Sequence, residues 1–280
     1  MSEQNDELTI RRILVALDAS YHSLTALEAA VELAASLEAE LQGLFVEDIN
    51  LLRVAGSPVA REVQYPFVAA ARLDRARMER ALRAQASQAR KAIAAACERR
   101  QIKWSFRVVR GEVAPEVLAA ALEADLLSLG KASRPLIRRV RLGSTARAAA
   151  AQAPHSVLLL QRDVGIRPPV VVTYDGSPTA RQALTMAARL AEKKGGYLAV
   201  LILASAMDEA PRLQAEASDL LRGRELMVRY RRLTGAGVAT LTHEIESEGS
   251  GVLVLSSTIL EPDALQTLLD KVDCPVLLVR

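Results

Sequence analysis

Two stretches of this 280-residue chain carry residue types and spacings that suit the binding of a charged ligand. The first is "RRILVALDAS", residues 11–20, whose apolar run ends at Asp18; a carboxylate at the end of a strand accepts hydrogen bonds from a sugar hydroxyl or an amino group. The second is "GKASRPLIRRVRLGSTA", from Gly130 to Ala146. Gly130 permits a tight turn, and Gly143, Ser144 and Thr145 open a helix whose first N–H groups and hydroxyls face an anion. Between the glycines lie Lys131, Arg134, Arg138, Arg139 and Arg141 with no acid, a charge balance suited to a polyphosphate or to a solvated loop. The chain contains no GxSxG, HExxH or Walker A pattern, so the chemistry indicated is binding, and no residue is assigned a catalytic role. His22, His155 and His243 are scattered, and Cys97 and Cys274 have no CxxC spacing, so no metal site is expected.

These stretches must be positioned by regular elements, and the sequence repeats one plan twice. Residues 11–48 and 168–205 both run from an apolar segment through Asp and Ser to a helical pattern and a second apolar segment. The ends "HSVLLLQR" and "CPVLLVR" also correspond. Short apolar runs without alternation are the mark of strands buried on both faces, so a doubly wound parallel sheet is expected in each half. In the first half the expected strands are 12–17, 41–46, 104–109, 125–129 and 156–161, with helices at 22–38, 72–100, 114–123 and 144–152. The 72–100 helix is expected to turn Leu73, Ala76, Met78 and Leu82 inward. Residues 48–70 read as a long loop or a broken helix. In the second half, strands are expected in 225–232, 251–257 and 275–279 after its first two, and helices in 210–222, in 237–247 on Val238, Leu241 and Ile245, and within 261–271. The Gly and Pro of "RDVGIRPP" divide the chain into 1–165 and 166–280.

Composition narrows the functions. Apolar residues make up 50% and aromatics 3%, which suits helices packed on a sheet better than a base-stacking surface. Residues 1–165 hold 23 basic and 19 acidic residues against 13 and 14 in the rest, too even a balance to argue for nucleic acid. The polar start "MSEQNDELTI" and the absence of a long uncharged apolar run argue against a signal peptide or membrane insertion and for a cytoplasmic protein.

The glycine spacing resembles that of the universal stress protein family, in a tandem form covering nearly the whole chain. Its ATP-binding members carry Gly, two residues, Gly, nine residues, Gly and then Ser or Thr. Here Ser133 replaces the second glycine and every spacing is kept. The resemblance implies an α/β fold of two Rossmann-like, adenine nucleotide alpha hydrolase-like domains, each a five-stranded parallel sheet with helices on both faces. It implies ATP, with magnesium as its companion ion, bound in the first half. It carries Asp18 onto the adenosine-contacting acid, Ala16 and Val46 onto strand positions near the adenine, and Gly130, Ala132, Ser133, Gly143, Ser144 and Thr145 onto the phosphate-binding stretch. The second half offers Ser256 where Gly130 aligns and lacks seven residues of that stretch, so Asp175 reads as a helix cap and this half as a scaffold. The last strands of the two halves are expected to pair within the chain. A homodimer, an unidentified protein partner, a nucleotide-independent interaction module and a slow ATPase stay open at this point.

Overall fold

In a computed structural model the chain is described over residues 10–18, 21–57, 61–63, 70–72, 74–131, 142–160, 165–206, 208–235, 237–249 and 251–280. The first half contains β1 (Arg12–Ala16), α1 (Tyr21–Leu37), β2 (Glu40–Asp48), α2 (Ile49–Ala55), β3 (Arg61–Val63), β4 (Ala70–Arg72), α3 (Arg75–Glu98), β5 (Trp104–Gly111), α4 (Val113–Ala121), β6 (Leu126–Gly130), α5 (Ser144–Gln152) and β7 (Ser156–Leu160). The second contains β8 (Val170–Tyr174), α6 (Pro178–Lys193), β9 (Tyr197–Ala204), α7 (Glu209–Leu220), β10 (Met227–Thr234), α8 (Val238–Glu248), β11 (Val252–Ser256), α9 (Pro262–Lys271) and β12 (Val276–Val279). The described part of 48–70 differs from a plain loop. Asp48 caps α2 by accepting from Asn50 N–H at 2.9 Å, and β3 and β4 form an antiparallel pair.

Ten strands form one sheet in the order β10-β9-β8-β11-β12-β7-β6-β1-β2-β5. Within each half the pairs are parallel, and the strand order reverses between β1 and β6 and again between β8 and β11. The halves meet where β12 runs antiparallel to β7, with Val276 opposite Leu159, Leu277 opposite Leu158 and Leu278 opposite Val157. Since "VLLL" and "VLLV" are corresponding segments, this register is that of a pseudo-two-fold axis passing between Leu158 and Leu277. The pairing covers two strand edges that each half would otherwise expose. The remaining edges, β5 and β10, carry Arg107, Arg110, Arg229, Arg231 and Arg232, which discourage further strand addition.

Helices cover both faces of the sheet. Ile13, Val15, Val170 and Val172 pack in one apolar layer with residues of α1, α3, α6 and α7, while Leu14, Leu127, Val171 and Leu253 pack in the other with α4, α5, α8 and α9. Burial on both sides is why the strands read as unbroken apolar runs. Helix α3 turns Leu82, Ala86, Ala89, Ile93 and Ala96 inward, but Ala76 is exposed, contrary to the periodicity argument. A 24-residue helix is longer than the eight-residue strand beneath it, so its first turn overhangs the sheet. Leu73 lies outside the described residues.

Where the second half begins, the chain passes so close to itself that a Cβ on Gly251 would fall on the carbonyl of Pro169, whose oxygen accepts from Val252 N–H at 3.1 Å. Gly251→Ala is expected to lower unfolding stability by roughly 3 kcal/mol, since backbone must move to make room. Urea unfolding of the variant checks this, and an unshifted midpoint contradicts it.

Candidate functional site

The carboxyl ends of β1, β2 and β6 lie side by side, and this is where the strand order reverses, the place where open α/β sheets hold ligands. Ala16 lies opposite Leu44 on β2, two residues before Val46, and Val46 lies opposite Val109 on β5. Ala16 and Val46 are both half-buried and pack on the same apolar layer. Val15 lies opposite Ser128 on β6, so Asp18, exposed just beyond β1, stands beside the end of β6 at Gly130. The alternate residue Glu47 turns the other way and is buried, with Arg110 donating to its Oε2 from Nε at 2.8 Å and Nη2 at 2.7 Å.

Gly143 precedes α5 in extended conformation, and as a glycine it has no side chain with which to cap the first turn. Ser144 is exposed, while Gly143 and Thr145 are half-buried. The first-turn amides of a helix lack intrahelical acceptors, so this end favours an anion. The structure therefore gathers Ala16, Asp18, Val46, Gly130, Gly143, Ser144 and Thr145 at one end of the first half. Ala132, Ser133 and the arginines at 134, 138, 139 and 141 lie outside the described residues. No group of acids, histidines and cysteines with metal-binding geometry occurs among the described residues.

Sequence reasoning treated Lys131 as one of several loop charges, yet it is 3% exposed. Its N–H donates to Leu160 O at 2.8 Å, its carbonyl accepts from Gly143 N–H at 2.7 Å, and its Nζ donates to Val272 O at 2.6 Å in the other half. Leu142 N–H donates to Asp270 Oδ1 at 2.8 Å. Asp270 was not among the expected site residues. Its only sequence signal is that the helix ending "LLDKVD" aligns with "AAAQAP" of the first half, where no acid stands.

The corresponding end of the second half is closed. Thirteen residues, 131–143, join β6 to α5, but five, 257–261, join β11 to α9. Ser256 is fully buried, lies 2.9 Å from Thr258 Oγ1 through its Oγ, and accepts from Ile259 N–H at 3.3 Å through its carbonyl, so the chain turns at once. Asp175 accepts from Ser177 N–H at 3.0 Å, and Ser177 caps α6 by accepting from Ala180 N–H at 3.2 Å. Between them Gly176 has φ +81°, and a Cβ there would meet Leu213 at 2.7 Å. Tyr174 and Arg181 donate to Glu216 Oε1 at 2.7 and 2.8 Å. Burial works against the Glu216 carboxylate, but these two bonds hold its pKa below the usual range.

The Universal stress protein family matches residues 9–161. This chain belongs to the universal stress protein family, and its two repeated halves give the tandem form. A universal stress protein from Archaeoglobus fulgidus DSM 4304 is similar over 98% of this chain and 99% of its own, with TM-score 0.72 and 16% identity. A functionally unknown protein from Pseudomonas aeruginosa PAO1 is similar over 99% of this chain and 94% of its own, with TM-score 0.59 and 14% identity. At these identities the likeness is one of fold. No curated protein matches the chain.

Lys131 has a measurable electrostatic consequence. Burial pulls its ammonium pKa down from the usual 10.5 to about 8, against the opposing influence of Cys274, Asp273 and Asp270. A depressed folded pKa adds stability above the unfolded value, and that addition is lost as pH falls through the folded value. Stability gained from pH 8 to pH 10.5 is therefore expected to be larger in the unsubstituted chain than in Lys131→Met, by on the order of 3 kcal/mol. Urea unfolding of both at pH 7 and pH 10 checks this, because the difference between them cancels every other titrating group. Equal pH dependence contradicts it.

Proposed function

We propose that the chain holds ATP, with magnesium, at the carboxyl ends of β1, β2 and β6, with its phosphates at the N-terminus of α5, and serves in the stress response. The observation that carries this reading is the convergence of Asp18, Gly130 and the Gly143-Ser144-Thr145 helix start at the strand-order reversal of a universal stress protein. Asp18 would accept from the ribose, Ala16 and Val46 would flank the adenine, and Gly130, Ala132, Ser133, Gly143, Ser144 and Thr145 would hold the phosphates. ATP acts here as a ligand that biases conformation or assembly. The division of labour follows the proposed domains, with 1–165 binding nucleotide and 166–280 serving as scaffold. Two buried cysteines free of disulfide, and no helix among the described residues that is long and apolar enough to cross a membrane, support a cytoplasmic setting.

Equilibrium titration with labelled ATP is expected to show one site per chain. Asp18→Ala is expected to weaken it by about tenfold, the loss of one charge-assisted hydrogen bond. Gly143→Val, which places a branched side chain at the phosphate end, is expected to weaken it further. An absence of saturable binding below millimolar ATP overturns the reading. Steady phosphate release that Asp18→Ala abolishes would instead assign the chain as an ATPase.

A further inference from the structure

The neck of the 131–142 connection is fastened twice to one helix of the other half. Lys131 Nζ donates to the carbonyl of Val272 at the end of α9 at 2.6 Å, and Leu142 N–H donates to the Asp270 carboxylate in its last turn at 2.8 Å. Between these two anchors, Gly143 N–H closes the neck on Lys131 O at 2.7 Å. Leu142 is buried in the same apolar layer as Leu265, Leu268, Leu269 and Val272 of α9 and its C-cap.

The pseudo-two-fold axis shows that this fastening runs in one direction. With Leu277 level with Leu158, Asp270 falls level with Ala151 and Val272 with Ala153, while Lys131 corresponds to Ser257. The half with the long connection carries alanine where the other carries the acid, and the half with the acid has the short connection. A carboxylate thus stands on the helix that faces the surviving loop and is missing from the one that faces the lost loop.

We infer that Asp270, together with Lys131, is a positioning residue through which the second half sets the nucleotide affinity of the first, by holding the neck of the loop and with it the first turn of α5. This rests on the nucleotide-binding reading of the same site. Coupling is reciprocal, so nucleotide bound at α5 protects the Leu142 amide from exchange and tightens the seating of α9 on the neck.

The test uses the full-length chain and its Asp270→Ala and Asp270→Asn variants, each titrated with ATP and followed by amide hydrogen exchange at Leu142. Asp270→Ala is expected to weaken ATP by about tenfold and to speed exchange, while Asp270→Asn stays within about twofold of the unsubstituted chain, because its amide oxygen still accepts from Leu142 N–H. The direction is diagnostic. Removing a negative charge near a polyphosphate strengthens its binding by simple electrostatics, so a loss that asparagine rescues reports geometry. ATP affinity that is equal or higher in Asp270→Ala overturns the positioning role while leaving the nucleotide site in place. An unsubstituted chain that binds no ATP overturns the nucleotide reading and the positioning role with it, and unchanged Leu142 exchange in Asp270→Ala overturns the fastening itself.

Discussion

The antiparallel pairing of β7 with β12 is the constraint on which the remaining architecture depends. Each half, taken alone, is a parallel sheet with a last strand whose outer edge presents unpaired N–H and C=O groups between apolar faces. Joining the edges about Leu158 and Leu277 satisfies those groups and lets the two apolar layers run without interruption from one half into the other. It also dictates which helices become neighbours. The axis brings α9 beside α5, and so places the end of α9 against the neck of a loop that belongs to the other repeat.

From a common plan the two halves have gone different ways, and the differences are mutually consistent. The five-residue connection after Ser256 is much shorter than the thirteen-residue one of the first half, and the first-strand acid Asp175 accepts from Ser177 N–H. Leu213 crowds Gly176, and the Tyr174, Glu216 and Arg181 hydrogen bonds tie α6 and α7 to the strand end. These contacts fill the strand end of the second half with packing. In the first half Asp18 at the same strand end is exposed, and Gly143, which begins α5, makes no side-chain cap bond.

Most of the framework was legible because a sheet buried on both faces leaves a plain trace, a run of Val, Leu and Ile bounded by turn residues. The strands and helices of the repeat fall within a few residues of their expected ends, and the edge pairing of the last strands, expected from the family resemblance, is present between β7 and β12. What was illegible depends on contacts between distant residues. Arg and Lys in a loop read as solvated, and nothing local to Lys131 marks it for burial under the opposite half. Asp270 is one more polar residue near a helix end until the fold puts Leu142 N–H before it. The hairpin of Arg61–Val63 and Ala70–Arg72 was hidden for a similar reason, since three-residue strands carry too little pattern to be told from loop.

Lys131 illustrates why such residues are better explained by geometry than by stability. Burying an ammonium group works against the fold, as its lowered pKa records, and one hydrogen bond to a helix-end carbonyl returns only about 1.5–3 kcal/mol even with the favourable helix dipole. The two terms nearly offset one another, so an apolar side chain of similar length would serve the core at least as well. What an apolar chain would not do is fix a direction. The Nζ donor ties residue 131 to Val272 just as the Asp270 oxygen ties residue 142, and the two constraints together hold the thirteen-residue connection near both ends. The helix that does the holding comes from the half whose own connection is only five residues long.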